Sequence, residues 1–245
     1  MKSFTQVYEK LRSKKGLRIA VAAAADEPVL EAVRDAASLG VEMAYLAGDE
    51  EKIRELAEKV GIDMEKVEII HEPDPKKAAL KAVSLVHEGK ASVLMKGLVS
   101  SADFLRAVLN KEVGLRTGKT LSSVTVLKTE KMDRFVIMTD GGMNMYPTLE
   151  EKVHILENTV PVCKALGYDI VAFGVMATVN LAIGQVTPPV GVNLFVAISI
   201  KIKKGLEVTL QEISRAVVPM IAACVAVLLI VTYIPITSTF LPKAL

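Results

Sequence analysis

The sequence predicts an α/β fold, with helices on both faces of a parallel sheet (α/β/α), followed by a hydrophobic α-helical membrane segment. Up to about residue 169, short apolar runs rich in β-branched residues alternate with amphipathic stretches, a pattern typical of βαβ units. That part carries 25 basic and 26 acidic residues, whereas residues 170–245 carry five and two. Many charged residues of both signs suit a domain in water. Their scarcity after residue 169 predicts a lipid-facing or deeply buried segment.

The alternation predicts strands and helices in order along the first part. Strands are expected at residues 17–23, 42–46, 67–71, 91–97, 122–128 and 134–140, and helices at residues 26–40, 49–61, 74–89, 101–112 and 148–167. Asp49 is suited to begin a helix and Gly61 to end one. Thr148 and Glu151 have the spacing of a capping box.

The stretch LMKGLVSSADFLRAV, which follows the fourth strand, contains the first candidate site. Ligands of open parallel sheets bind beyond the carboxyl ends of the strands, and a helix start with free N–H groups, hydroxyls and a lysine is suited to phosphate. The candidate substrate-binding residues are Lys96, Gly97, Ser100, Ser101 and Arg106. The alternative is that one serine only caps the helix and the lysine is a solvated surface residue.

The stretch MTDGGMNMYPTLEEKV, which follows the sixth strand, contains the second candidate site. Asp140 ends the strand, and a glycine pair and Asn144 follow before the next helix. A carboxylate at a strand end acts as a base, orients a ligand or caps a helix, so Asp140 and Asn144 are candidate catalytic residues. The alternative is a turn, because Asp, Gly, Asn and Pro form turns in any protein.

Other chemistries are not favoured by the sequence. His71, His87 and His154 have no spacing typical of a metal site or of a nucleophile and base, so no metal site is expected. Cys163 and Cys224 lie far apart, which predicts no disulfide framework and fits a reducing cytosol. The net charge of +2 lacks the basic face that nucleic-acid binding needs, so no nucleic-acid partner is expected.

The two stretches, in the longer segments VLMKGLVSSADFLRAVLNKEVGLRTGKTLSSVTVL and RFVIMTDGGMNMYPTLEEKVHILENTVPVCKALG, resemble the phosphate acetyltransferase and phosphate butyryltransferase family, particularly its butyryl branch. The resemblance covers about residues 1–169 and implies a truncated form of that family's fold. It implies transfer of an acyl group, butyryl or another short chain, between coenzyme A and inorganic phosphate. Coenzyme A would be a substrate rather than a permanently bound cofactor, acyl-CoA and phosphate would be the partners, and the chain would form a homodimer.

The stretch NLAIGQVTPPVGVNLFVA resembles the second substrate-side hairpin of the large membrane subunit of tripartite ATP-independent periplasmic (TRAP) transporters. In that family an unwound Gly-Thr-Pro-Pro segment at membrane depth helps to bind sodium. Broken helices at that depth commonly expose carbonyl groups to a cation. The resemblance makes Asn180, Gly184, Thr187 and Asn193 candidate ion-binding residues. The alternative is a proline-broken hairpin that binds no ion.

The second part of the chain predicts two membrane elements. Residues 170–200 and 216–242 contain no Lys, Arg, Asp, Glu or His. About 20 apolar residues span a bilayer, so residues 217–236 are expected to form a transmembrane helix and residues 170–200 a re-entrant hairpin. Lys201, Lys203, Lys204 and Arg215 lie between them and place that loop in the cytoplasm.

The N-terminal segment contains no apolar stretch of the secretory type. We therefore expect a cytoplasmic N-terminal domain anchored to the inner, cytoplasmic membrane by the tail.

The chain is thus expected to be a chimera, with an acyltransferase domain over residues 1–169 and a transporter-like tail over residues 170–245. Three functions follow from this organisation. The first is phosphate acyl transfer, and loss of the second half of the fold would make the domain inactive. The second is that of a fragment of a sodium-coupled carboxylate transporter. The third is a membrane-anchored remnant that binds coenzyme A or phosphate without turnover.

Overall fold

The structure, a computed structural model, describes residues 1–130, 134–189, 191–203 and 209–244. Two compact units make up the chain. The first comprises residues 1–121 and 126–136, and the second comprises residues 122–125 and 137–245. Of the basic loop predicted near the membrane, Lys204 lies outside the described residues, as does residue 190 within the predicted hairpin.

The first unit is built on a four-stranded parallel sheet with the strand order β3-β2-β1-β4. The strands are β1 (Leu17–Ala22), β2 (Val41–Gly48), β3 (Val67–His71) and β4 (Val93–Lys96). In the central strand, Ile19 lies opposite Ala44 of β2 and Val93 of β4. Because all four strands run the same way, the loops that follow them gather at one edge of the sheet.

Helix α1 (Phe4–Arg12) precedes β1 and was not predicted from the sequence. The predicted helices α2 (Glu27–Ser38), α3 (Glu50–Val60) and α4 (Pro75–His87) connect the four strands, and α5 (Ser101–Val108) follows β4. Asp49 caps α3 by accepting from the Lys52 N–H, and Gly61 ends that helix in the left-handed conformation. Both roles were expected, since an N-cap side chain satisfies a free N–H and glycine adopts a positive φ without a steric penalty.

Two hydrophobic clusters cover the two faces of the sheet. Along β1, Ala20 and Ala22 belong to the cluster packed with α4 and α5, and Ile19 and Val21 belong to the cluster packed with α2 and α3. Successive side chains of a strand point to opposite faces, so a continuously apolar strand is buried on both sides. This alternation confirms the α/β/α arrangement that the sequence predicts.

Helix α5 ends at Val108, four residues before the predicted end. The Asn110 side chain accepts hydrogen bonds from the N–H groups of Glu112 and Val113, and the Leu115 N–H donates to the Val108 carbonyl. An Asn side chain that bonds its own following backbone offers the chain a turn in place of a helix. That local competition ends the helix early.

After α5 the chain forms a short two-stranded sheet and a long helix. The strands are β5 (Val124–Leu127) and β6 (Val136–Thr139), and the helix is α6 (Leu149–Leu166). The capping box predicted at Thr148 and Glu151 is present, and Gly167 ends α6 in the left-handed conformation.

The C-terminal part of the second unit is entirely helical in its described residues. It contains α7 (Ile170–Val186), α8 (Val192–Lys203), α9 (Leu210–Tyr233) and α10 (Ile236–Ala244). Helix α7 packs against α8, α9 and α10. A Cβ atom at Gly191 would lie 2.8 Å from the Gln185 carbonyl oxygen, so glycine allows the chain to turn back against the end of α7.

Helix α9 is long and apolar enough to cross a membrane, and it is the one such helix among the described residues. Its 24 residues correspond to about 36 Å at 1.5 Å per residue, against about 30 Å of hydrocarbon in a bilayer. None of its residues is buried in the protein. The α/β sheet followed by a long apolar helix is the fold class that the sequence predicts.

Candidate functional site

The first candidate loop lies at the carboxyl edge of the parallel sheet. Lys96 is the last residue of β4, directly beside Ala22 at the end of β1. Its side chain is exposed, its amino group lies 3.3 Å from the Gly97 carbonyl oxygen, and it has no ion-pair partner in the described part of the chain. Its charge is therefore available to an anion at this edge.

Gly97 marks the closest approach of two backbones at this edge. Its N–H donates to the Ala22 carbonyl at 2.8 Å, and the Leu98 N–H donates to the Ala23 carbonyl at 2.8 Å. A Cβ atom at Gly97 would lie 2.6 Å from the Ala22 oxygen and would also overlap the Ala23 oxygen. The glycine is thus required by the contact between β1 and β4, a reason that the sequence does not reveal.

Ser100 and Ser101 have different environments at the start of α5. Ser100 is the N-cap: its Oγ accepts from the Asp103 N–H at 3.1 Å and donates to Asp103 Oδ2 at 2.8 Å. Ser101 is the exposed first residue of the helix, and its hydroxyl makes no hydrogen bond among the described residues. The helix-capping alternative therefore applies to Ser100.

Asp103 links Ser100 to two cations and was not among the predicted residues. Its Oδ1 accepts a short hydrogen bond from Arg106 Nη1 and lies 3.9 Å from the Lys76 amino group. The hydrogen bond from Ser100, followed by the charges of Lys76 and Arg106, holds the pKa of Asp103 below its usual value. The Ser-x-x-Asp spacing at residues 100–103 is the signal that would have found it.

The second candidate loop is organised around Asp140. Asp140 Oδ2 accepts from the Asn144 N–H at 2.9 Å, and Oδ1 lies 3.4 Å from the Ser123 nitrogen that donates to it. The Asp140 N–H in turn donates to the Ser123 carbonyl at 2.9 Å. The structure thus brings Asp140 together with the backbone of Asn144, the other candidate catalytic residue, and adds Ser123, which the sequence did not single out.

Asp140 adopts the left-handed conformation with φ of 49°. Asp tolerates this region better than most residues because its short side chain bonds locally. Here the carboxylate bonds the backbone on both sides of the turn, and the Gly142 N–H donates to the Asp140 carbonyl at 2.7 Å. The carboxylate that is the candidate catalytic group is therefore also the one that holds the turn.

A cleft of about 200 Å³ lies at the other edge of the sheet. It is formed by the C-terminal half of α2, the segment between α3 and β3, and the first residues of β2 and β3. Its Arg34 is paired with Asp35 and its Asp63 with Lys66. Because ligands of such sheets bind at the carboxyl ends of the strands, we place the candidate site at the Lys96 edge.

Within the described residues, no group of three or more His, Cys, Asp or Glu side chains could hold a metal ion. His71 accepts from the Glu50 N–H at 3.2 Å, and His87 lies 3.0 Å from the Gly114 carbonyl oxygen. Both rings are engaged with backbone groups.

The candidate ion-binding residues lie on two helices of the tail. Asn180 and Gly184 lie on α7, Thr187 ends it and Asn193 lies on α8, and all four are exposed. The Thr187 hydroxyl donates to the Ile183 carbonyl at 2.7 Å. Their role in binding an ion stays a prediction.

Comparison with known sequences assigns the part of the chain that carries both loops. The family described as "Phosphate acetyl/butaryl transferase" matches residues 73–185. A phosphate butyryltransferase from Clostridium acetobutylicum is 54% identical over 169 residues. The N-terminal part of this chain is similar to the phosphate acetyl/butyryltransferase family. The resemblance that the two loops indicated is confirmed.

The curated relatives are longer than the matching region of this chain. The Clostridium acetobutylicum match covers 69% of this chain and 56% of the relative. A phosphate butyryltransferase from Clostridium beijerinckii is 47% identical, with the same two coverages. A phosphate acetyltransferase from Thermotoga maritima is 34% identical over 78% of this chain and 63% of the relative. The chain spans about half to two thirds of the length of these acyltransferases.

Solved structures support the fold. A phosphotransacetylase from Streptococcus pyogenes superimposes with a TM-score of 0.55 at 24% identity, covering 68% of this chain and 59% of that one. A phosphotransacetylase from Staphylococcus aureus gives a TM-score of 0.53 at 20% identity, covering 67% and 58%. The matching part of the chain thus has the fold of phosphotransacetylases.

A second family matches the C-terminal part of the same chain. Residues 142–237 match the DctM component of the tripartite ATP-independent periplasmic transporter. The two family matches overlap over residues 142–185, which include the whole of α6. The chain therefore joins an acyltransferase-family segment to a segment that resembles a transporter subunit.

Proposed function

We propose that the chain is a membrane-anchored phosphate acyltransferase. The observation that carries this proposal is the 54% identity to a phosphate butyryltransferase over 169 residues, a region that includes both candidate loops. In this proposal residues 1–169 are the acyltransferase domain and residues 170–245 are the membrane tail of a chimeric protein. Coenzyme A is a substrate, and no cofactor is permanently bound.

The reaction needs positioning more than covalent catalysis by the protein. A phosphate oxygen attacks the thioester carbonyl, a tetrahedral oxyanion forms, and the carbon–sulfur bond breaks to give acyl phosphate and the coenzyme A thiolate. The thiolate then takes a proton. Two substrates bound together need no protein nucleophile, so the chain must hold phosphate against its own charge and orient donors toward the oxyanion.

The first loop is suited to hold a phosphate group. Lys96 supplies an exposed ammonium at the end of β4, and the start of α5 supplies backbone N–H groups and the positive end of the helix dipole. Ser101 adds an exposed hydroxyl. Arg106 lies further along α5, where Asp103 holds its guanidinium. Gly97 contributes by letting the loop pass close to β1.

The second loop is proposed to act at the reacting centre. The Asp140 carboxylate is fixed by the N–H groups of Ser123 and Asn144, so its position is defined before a substrate arrives. A fixed carboxylate orients or accepts the proton of a reacting group more effectively than a mobile one. We assign Asp140 and Asn144 this role from the family resemblance.

The tail is proposed to anchor the acyltransferase domain at the inner face of the cytoplasmic membrane. Helix α9 has the length and composition of a membrane span, and the DctM match covers it fully. The basic residues that precede it favour a cytoplasmic N-terminal end, in the compartment where acyl-CoA is available. The protein would act as a homodimer, as the family resemblance implies.

The test is thiol release from acetyl-CoA, propionyl-CoA and butyryl-CoA by the detergent-purified chain of verified intact mass. We expect release to depend on phosphate and to be fastest with one of the short acyl chains, which would identify the substrate. A Lys96→Ala, Asp140→Asn double variant is the control, since it removes the loop cation and the loop carboxylate together.

Release that is no faster than in this double variant would contradict the catalytic proposal. Coenzyme A that raises the melting temperature without any turnover would instead identify a binding protein. The assay thus separates a catalyst from a non-catalytic remnant.

A further inference from the structure

Ser100 and Ser101 are adjacent hydroxyls at the proposed phosphate loop, and their hydrogen bonds distinguish them. A serine hydroxyl has one proton to donate. Ser100 gives that proton to Asp103 Oδ2 at 2.8 Å while it accepts the Asp103 N–H at 3.1 Å. It has no proton left for a phosphate oxygen unless its bond to Asp103 Oδ2 is broken. Ser101 carries no such bond among the described residues and is exposed.

Asp103 uses its second oxygen to hold two cations. Arg106 donates to Oδ1 from the same helix, and the Lys76 amino group approaches the same oxygen from the first turn of α4, 3.9 Å away. The Asp103 side chain is 18% exposed, whereas those of Arg106 and Lys76 are 74% and 71% exposed. The carboxylate is therefore largely covered while both cations face the solvent.

We infer that Asp103 is a positioning residue for phosphate binding and that Ser101, not Ser100, is the hydroxyl donor to the phosphate. Asp103 keeps Ser100 in its capping role and holds Arg106 and Lys76 beside the start of α5. The phosphate group belongs either to inorganic phosphate or to coenzyme A. This inference rests on the proposed function. It states which residues of the first candidate loop contact the phosphate and which only position others.

The direction in which Asp103→Asn changes anion binding distinguishes a positioning role of Asp103 from a purely electrostatic one. If Asp103 acted only through its negative charge, Asp103→Asn would strengthen anion binding, because an anion is repelled by a nearby carboxylate. If Asp103 positions the cations, Asp103→Asn weakens binding, because the neutral amide no longer holds them. We expect the dissociation constant to rise about tenfold, the effect of a lost charge-assisted hydrogen bond.

The experiment is calorimetric titration of the detergent-purified full chain with inorganic phosphate and, separately, with coenzyme A. Asp63→Asn is the matched control, because Asp63, like Asp103, pairs with a cation three residues on, here Lys66 at 3.3 Å, but lies at the other edge of the sheet. Its dissociation constants should equal those of the wild type. The ligand whose dissociation constant rises in Asp103→Asn is the source of the phosphate.

Two serine variants give an independent test that does not require Asp103→Asn to fold. Ser101→Ala should raise the dissociation constant about tenfold and leave the melting temperature unchanged. Ser100→Ala should lower the melting temperature, since it removes a helix cap, and change the dissociation constant less than twofold.

Tighter or unchanged binding in Asp103→Asn would overturn the inference, as would equal weakening by the two serine variants. Binding of neither ligand by the wild-type chain would also overturn it. A chain that binds with the expected pattern but releases no thiol would leave the inference standing and contradict the proposed catalytic function.

Discussion

The single residue Gly97 fixes the position of the first candidate loop against the sheet. The Gly97 N–H donates to the Ala22 carbonyl at the end of β1, and the Leu98 N–H donates to the carbonyl of Ala23, which follows β1. Lys96 and the start of α5 flank this contact on either side. Anything that separates β4 from β1 here therefore moves the loop that we propose to hold phosphate.

Gly97→Ala is expected to lower the free energy of unfolding of the first unit by about 1–3 kcal/mol, the usual cost of overpacking a site that cannot relax. The added Cβ would press on backbone oxygens, which do not move aside as a flexible side chain does. Denaturant unfolding followed by circular dichroism measures this loss. Gly141→Ala is the control, because its Cβ would meet only the flexible Met138 side chain at 3.4 Å. Equal stability of the two variants would contradict the close-approach argument.

The start of helix α6 is fixed by a capping box formed by Thr148 and Glu151. Thr148 accepts from the Glu151 N–H at 3.3 Å, and Glu151 Oε2 accepts from the Thr148 N–H at 2.7 Å. This reciprocal pair satisfies two N–H groups that the first turn otherwise leaves free. It fixes where α6 begins and hence the length of the turn that follows Asp140.

The α6 cap predicts a specific response to acid. The hydrogen bonds from Thr148 hold the pKa of Glu151 below its usual value of 4.5. A carboxyl group whose pKa is depressed by folding stabilises the protein above its unfolded pKa, and that contribution is lost as the pH falls through the folded pKa. We therefore expect Glu151→Gln to destabilise the chain at pH 7 and to make no difference at pH 2.

Thermal unfolding of wild type and Glu151→Gln between pH 2 and pH 7 measures this difference. Thr148→Ala, which removes the partner, should cost about 1 kcal/mol at pH 7. A constant gap between wild type and Glu151→Gln over the whole pH range would show that the ionised carboxylate does not stabilise the cap.

The whole molecule combines two kinds of sequence in one chain. Residues that match the acyltransferase family and residues that match the DctM component overlap across α6. Beyond α6, the apolar helices α7 and α9 replace the charged α/β sequence. We therefore propose that the tail anchors a domain that carries out its chemistry in water.

Much of the fold was predictable because it depends on local sequence patterns. The β-branched runs and the caps of α3 and α6 each act over a few residues, and the structure confirms them. The environments of Ser100 and Asp140 were harder to predict, because each depends on which of several local hydrogen bonds forms. The contact of Gly97 with β1 was not predictable, since it joins residues about 75 positions apart in sequence that only the sheet brings together.

The most direct test of the account is phosphate-dependent thiol release by the full chain after reconstitution into lipid vesicles and flotation. We predict that the protein floats with the vesicles, stays with them through an alkaline carbonate wash, and releases thiol from butyryl-CoA only when phosphate is present. Protein that remains at the bottom of the gradient would contradict the membrane anchor. Floated protein that releases no thiol would contradict the acyltransferase function.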